Sequence, residues 1–176
     1  MHRSWFRHLA VLVFLLLSLP AAAQSSSREA APPRDGQVNG VGNLPRFVSL
    51  RSDEVNLRTG PGVRYPVEWV LQRRNMPVEV LAEFENWRKV RDWQGTEGWV
   101  HQSMVSGRRY AIVTEDVRPL RRQPDPNSPA LARLEPGVVA QILECQDQWC
   151  RLDANGFKGW LRRAEFWGAY PNEAVK

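Results

Sequence analysis

The sequence predicts an all-β protein: two small β barrels in tandem, packed together and preceded by a signal peptide and a disordered linker. Three observations predict it. Short runs of β-branched alternation, "MPVEVLAEF" (76–84) and "VVAQILEC" (138–145), stand among turn signals such as "RTGPG" (58–62) and "ANG" (154–156), and no stretch of eleven or more residues carries a helical apolar stripe. The chain repeats itself, and a repeat decides the fold before any single element does. Its N-terminus is patterned for export.

The opening segment places Arg3 and Arg7 before an apolar run from Leu9 to Leu19, followed by Pro20 and Ala21, Ala22 and Ala23. That is the pattern of a secretory signal, residues 1–23, with cleavage expected after Ala23. Eleven residues before the proline fall short of the roughly 20 needed to span a bilayer. No Cys follows the small residues, which argues against a lipid anchor. Residues 24–46, beginning QSSSREAAPPRDG, are rich in Ser, Pro and Gly; they hold too little apolar surface to offset chain entropy and read as a disordered linker.

The repeat occupies nearly all of the remaining chain. Phe47 to Leu50, Asp53 and Leu57-Arg58 match Tyr110 to Val113, Asp116 and Leu120-Arg121 at a shift of 63 residues. Val78, Val80, Leu81 and Trp87 match Ala140, Ile142, Leu143 and Trp149 at 62, and Gly98-Trp99-Val100 match Gly159-Trp160-Leu161 at 61. Two units are therefore expected, 47–108 and 109–170, with a tail at 171–176. A unit of this size buries only about 60% of its unfolded surface and is marginal alone. The connection Ser106 to Arg109 is too short for a flexible spacer, so the two units are expected to pack together.

Charge narrows the partners. Removing residues 1–23 leaves 22 basic against 19 acidic residues, well mixed in both units. Nucleic-acid binding calls for a clustered basic stripe, and pairs such as Arg73-Arg74, Arg121-Arg122 and Arg162-Arg163 are too short to make one. A weak affinity for anionic envelope polymers ranks above it.

The first unit resembles the bacterial SH3-like domain family. The resemblance rests on Val55-Asn56-Leu57-Arg58, Gly60-Pro61-Gly62, Tyr65-Pro66-Val67, Pro77-Val78-Glu79-Val80, Asn86 to Val90 and Gly98-Trp99-Val100. The second unit keeps Gly137, Trp149, Gly159 and Trp160 but has "RRQPDPNSP" in place of the Gly-Pro-Gly turn. The resemblance implies two tandem SH3-like barrels, each a small, strongly bent sheet, which agrees with short strands that must hide their edges. Gly60 and Gly62 are expected to supply backbone angles closed to other residues; no Lys-Ser/Thr or helix comes after them to make a phosphate loop.

Cys145 and Cys150 flank a predicted hairpin tip and are the only cysteines. In an exported chain they are expected to form a disulfide. Counted from the paired tryptophans they align with Glu83 and Arg88, so one copy is expected to hold its strand ends covalently where the other uses opposite charges. With His101 the only histidine after the signal segment, there are too few ligands for a zinc site, and no C-x-x-C motif is present. No metal and no cofactor is expected.

Catalysis finds little to work with. A triad needs a base and an orienting partner, and His101 reads as a surface residue. Glu83, Glu85, Asp92 and Glu97 could pair for glycoside hydrolysis, but they fall on hairpin ends of a barrel too small for a deep cleft. Trp99 and Trp160 are expected on the barrel wall with their rings over the core, and Trp87 and Trp149 half buried after a turn. If a binding groove exists, the resemblance places it on the first unit. Tyr65, Trp69, Trp93 and Trp99 would offer ring faces there, and Arg58 and Glu68 would orient an extended peptide or glycan.

The function expected from this is that of an exported, non-enzymatic module, periplasmic or secreted, that binds peptidoglycan or a peptide in the cell envelope. It would bind no nucleic acid and keep no membrane insertion after signal cleavage. The rival expectations are a structural or scaffolding protein with a protein partner, and an accessory part of a peptidoglycan hydrolase system. The second is disfavoured because the chain leaves no residues for a separate catalytic domain.

Overall fold

Side-chain alternation sets the strands. In Glu54–Arg58, Val55 and Leu57 are buried while Glu54 and Asn56 are exposed, and in Glu97–His101 Gly98 and Val100 are buried around a half-buried Trp99. The computed structural model describes residues 43–176, and the expected signal segment and most of the expected linker lie outside them. The first unit comprises β1 (Arg46–Leu50), β2 (Glu54–Arg58), β3 (Val67–Gln72), β4 (Pro77–Phe84), β5 (Trp87–Arg91), β6 (Glu97–His101) and β7 (Val105–Ser106). The second repeats it as β8 (Tyr110–Val113), β9 (Arg118–Arg121), β10 (Ala130–Leu134), β11 (Val139–Gln146), β12 (Trp149–Ala154), β13 (Phe157–Arg162) and β14 (Phe166–Trp167). A single 3-10 turn, Gln102–Met104 or Arg163–Glu165, precedes the last strand of each.

The two sheets are wired identically: β3-β2-β6-β5-β4-β1-β7 in one and β10-β9-β13-β12-β11-β8-β14 in the other. All pairings are antiparallel, and the register breaks at the same place in both copies, between Val80 and Ala82 and between Ile142 and Glu144. Such bulges bend a strand and let a short sheet curl. Each barrel encloses its own core, Leu50, Leu57, Val78, Val80, Val90 and Val100 in the first and Leu120, Ile142, Leu152 and Leu161 in the second.

The Gly-Trp pair of the repeat has a packing cause. A Cβ on Gly98 would lie 2.5 Å from Leu57 Cγ, and one on Gly159 would lie 2.7 Å from the Arg121 carbonyl oxygen. Only glycine lets β6 and β13 cross so close to β2 and β9. The tryptophans next to them differ from expectation. Because Gly98 and Val100 face the core, Trp99 points to the outer face, where it stands between its cross-strand neighbours Arg58 and Lys89; Trp160 stands likewise between Arg121 and Arg151.

The barrels meet through β1. Phe47 is buried yet belongs to neither core. Its ring centroid lies 4.8 Å from that of Trp167, edge-on, and 4.7 Å from that of Tyr170, and the Arg109 guanidinium is 5.7 Å away. The C-terminal residues are docked on the second barrel. Val175 is buried, its carbonyl accepts from the Cys145 N–H at 3.0 Å, and the buried Arg163 donates to the carbonyls of Asp147, Tyr170 and Glu173 at 2.7 Å each.

Candidate functional site

A concavity of the first barrel lies around Trp87. Two cavities, of about 620 and 320 Å³, share Val63, Trp87 and His101. The β2–β3 loop supplies Val63, the facing ends of β4 and β5 supply Phe84 and Trp87, and the 3-10 turn after β6 supplies Met104. Val63, Phe84 and Met104 are 80%, 51% and 36% exposed, so three apolar side chains are held in water around one half-buried indole. His101 packs against Trp87 edge-on at 5.5 Å. Its Nδ1 accepts from the Ser103 N–H at 3.3 Å and lies 2.7 Å from Ser103 Oγ, which fixes the ring and leaves Nε2 for the groove it lines.

The loop carrying Val63 is pinned from beneath. Arg58 donates to the carbonyls of Val63 and Tyr65 at 3.2 and 2.8 Å. Tyr65 in turn lies over Gly60, where a Cβ would come within 2.5 Å of its ring. Neither Gly60 nor Gly62 adopts a left-handed φ, so their role here differs from expectation: close approach of the tyrosine ring, and not backbone angle, requires Gly60. In the second barrel Arg121 donates to the Ser128 carbonyl at 2.8 Å in the same way. The arginine is thus a loop anchor in both copies.

The residues singled out in the sequence fall on several different surfaces. Arg58 lines the groove, and Tyr65 braces its loop. Trp99 lies beside Arg58 on the outer face, while Glu68 and Trp69 are exposed on the edge strand β3. Trp93 is 38% exposed at the β5–β6 turn, which the buried Asp92 carboxylate fastens by accepting from the N–H groups of Gln94 and Thr96 at 2.9 and 2.8 Å. Glu68, Trp69, Trp93 and Trp99 line neither cavity about Trp87. Val63 and Met104 escaped sequence reasoning because isolated apolar residues outside strands carry no periodic signal, and Phe84 because it falls on the outward side at the end of β4. The mismatch between copies at Phe84 and Gln146 was the available clue.

That mismatch recurs at other positions of the groove. By register, Phe84 opposite Trp87 corresponds to Gln146 opposite Trp149, and His101 corresponds to Arg162. Met104, at the end of its 3-10 turn, corresponds to Glu165. The Arg162 guanidinium lies over Trp149, 5.2 Å from the ring centroid. The second copy therefore dresses its tryptophan in polar groups where the first leaves apolar ones.

Cys145 and Cys150 are directly paired across β11 and β12 and joined by a disulfide. Glu83 and Arg88 face each other at the same place in β4 and β5, with Arg88 Nε 3.0 Å from Glu83 Oε1. Among the described residues, no group of three or more His, Cys, Asp or Glu side chains is placed to hold a metal ion, and no helix is long and apolar enough to cross a membrane.

Two twisted barrels of one pattern, each closed by a Gly-Trp strand and a 3-10 turn, define a tandem SH3-type protein. The chain belongs to the bacterial SH3 domain family, whose profile matches residues 51–107 and 115–168. It is 20% identical over 124 residues to YrvJ of Bacillus subtilis strain 168, a protein named as an N-acetylmuramoyl-L-alanine amidase; the match covers 64% of this chain and 24% of that one. Among solved structures it is similar to NlpC2 from Trichomonas vaginalis, with 12% identity, a TM-score of 0.34 and coverage of 73% of this chain and 50% of that one. It is also similar to an NlpC/P60 family protein from Bacillus cereus ATCC 10987, with 15% identity, a TM-score of 0.31 and coverage of 70% and 57%. The chain thus spans about a quarter of YrvJ and about half of these two structures.

Proposed function

We propose that the protein is an exported cell-envelope binding module, without catalytic activity of its own, whose first barrel takes peptidoglycan or its peptide stem in the groove about Trp87. The observation that carries this reading is the asymmetry between copies. Solvent-exposed apolar side chains have no folding reason to gather around one indole, and a rigid aromatic flanked by exposed apolar groups is how a small surface holds an extended ligand. Similarity over 124 residues to a protein named as an N-acetylmuramoyl-L-alanine amidase supports the choice of ligand and of compartment. In this reading Arg58 and Tyr65 shape the loop, while Trp99, Trp69, Trp93 and Glu68 lie beyond the groove and could only extend it.

The test gives the first groove the polar side chains of the second. Phe84→Gln and Met104→Glu alter exposed positions and should leave thermal stability unchanged. Co-sedimentation of the mature protein with purified peptidoglycan sacculi should then weaken by about tenfold, equivalent to about 1.4 kcal/mol. Unchanged binding in that variant, with binding lost in Trp93→Ala, would move the site to the β5–β6 turn. Absence of binding by the unaltered protein would instead favour a protein partner.

A further inference from the structure

The β3–β4 connection carries Arg73, Arg74 and Asn75, and it is laid against the second barrel, where Arg73 donates to the Gly137 carbonyl. Two cavities, of about 410 and 310 Å³, share Arg74 and Asn75 as a common wall. Arg73, Tyr110, Gln141 and Asn155 line the larger, and Arg51 and Arg108 the smaller. Neither shares a residue with the groove about Trp87.

Four arginines converge here from three separate stretches of chain. Arg51 is oriented by a bond from Nε to the Val105 carbonyl at 3.0 Å, and Arg73 by its bond to Gly137, so each spends one donor and keeps others. One carboxylate lines the cleft, that of Asp153, and it has its own partners: Lys158 Nζ at 3.8 Å and the Gly156 N–H at 2.7 Å. Asp53 reaches Arg74 at 3.5 Å, but both side chains are more than half exposed, and such pairs contribute little and exchange readily. The cleft is left with uncompensated positive charge.

Its neutral lining is as informative as its charge. Asn75, Gln141 and Asn155 each present a donor and an acceptor, which answers hydroxyl groups that do both, and Tyr110 adds a ring. Guanidinium groups answer carboxylate or phosphate, often in bidentate fashion. The geometry points to the cleft between the barrels as a second binding site, for an acidic glycan, a sugar chain bearing carboxylates or phosphates. The larger cavity, with its neutral donors and acceptors, exists only where the two barrels meet, which gives the duplication a use beyond stability.

The test titrates the mature protein with an oligogalacturonate, a phosphomannan oligosaccharide, a neutral malto-oligosaccharide and polyglutamate, reading affinity by calorimetry and side-chain amide signals by NMR. The two acidic glycans, or whichever of them supplies the matching oxyanion, should bind, shift the amides of Asn75, Gln141 and Asn155, and weaken as NaCl rises. The neutral sugar should not bind. Arg74→Ala with Arg108→Ala, both at exposed positions, should lower glycan affinity at least about tenfold without changing the melting temperature. Gln141→Ala with Asn155→Ala should weaken glycan binding and leave the charge intact. Failure of both acidic glycans, unchanged affinity in the arginine variant, or polyglutamate binding as tightly as the glycans would overturn the proposal, the last by making the cleft a reader of acidic peptide.

Discussion

The Tyr170 hydroxyl, on the second barrel, donates to Oε1 of Glu79, on the first, at 2.6 Å. Glu79 is buried in β4, and its other oxygen is held by Arg91 at 2.6 and 3.2 Å. A buried carboxylate needs its partners, and one of them comes from across the domain boundary. With the ring of the same tyrosine against Phe47, one side chain supplies both an apolar and a polar tie between the barrels. Tyr170→Phe keeps the ring and removes the bond. Loss of a hydrogen bond to a charged group should cost about 1.5–3 kcal/mol, measured by urea unfolding; a change within error would show that water replaces the hydroxyl without loss.

The same bond makes the interface sensitive to alkali. Burial first, and then the bond to Glu79, push the Tyr170 hydroxyl well above its ordinary value of 10.0. The folded protein holds this proton more tightly than the unfolded chain does. The contribution is therefore whole below about pH 10 and is lost as pH rises through the higher folded value. An ultraviolet titration should show one tyrosine ionising late, together with unfolding, and Tyr170→Phe should remove that late step.

Acid acts at a different place. Burial raises the Glu173 carboxyl, but the hydrogen bonds from Arg109 and from the Tyr170 N–H, with the charges of Arg109 and Arg163, outweigh it and hold the group below its ordinary 4.5. For a depressed carboxyl the stabilisation is present above the unfolded value and disappears as pH falls through the folded one. The docked C-terminal segment should stay protected above about pH 4.5 and become susceptible to proteolysis below it. Glu173→Gln should expose that segment at neutral pH. Equal protection of variant and parent at pH 7 would mean that Arg163 and Val175 hold it unaided.

Much of the fold could be read from residues 47–170 because the repeat constrains itself. Gly98-Trp99 and Gly159-Trp160 mark the same strand crossing, and the alignment of Glu83 with Cys145 locates a cross-strand pair from the residue order alone. The groove and the inter-barrel cleft were less legible, for a physical reason. Alternation reports which side of a strand is buried but not what buries it, so Phe47 and Val48 look alike in sequence although one packs on the other barrel and the other in its own core. Loop residues such as Val63, and arginines as far apart as Arg51 and Arg108, have no period at all. Only the folded chain brings them to one surface.

Gly98 and Gly159 offer a direct measure of that shared crossing. A methyl group at Gly98 meets the side chain of Leu57 at 2.5 Å and the backbone oxygen of Arg58 at 3.0 Å, whereas at Gly159 the backbone oxygen of Arg121 stands closer, at 2.7 Å, beside Leu120 at 2.8 Å. Overpacking of this kind costs typically about 1–3 kcal/mol, and the cost should be larger where the backbone, which cannot rotate aside, stands closer. Gly159→Ala should therefore destabilise more than Gly98→Ala in denaturant titrations of otherwise identical proteins. The disulfide does not reverse that order, since it joins β11 to β12 and leaves the crossing of β13 over β9 untouched. Equal destabilisation by the two substitutions would show that the closer approach of β13 to β9 adds no cost, and would remove backbone distance as what ranks the two positions.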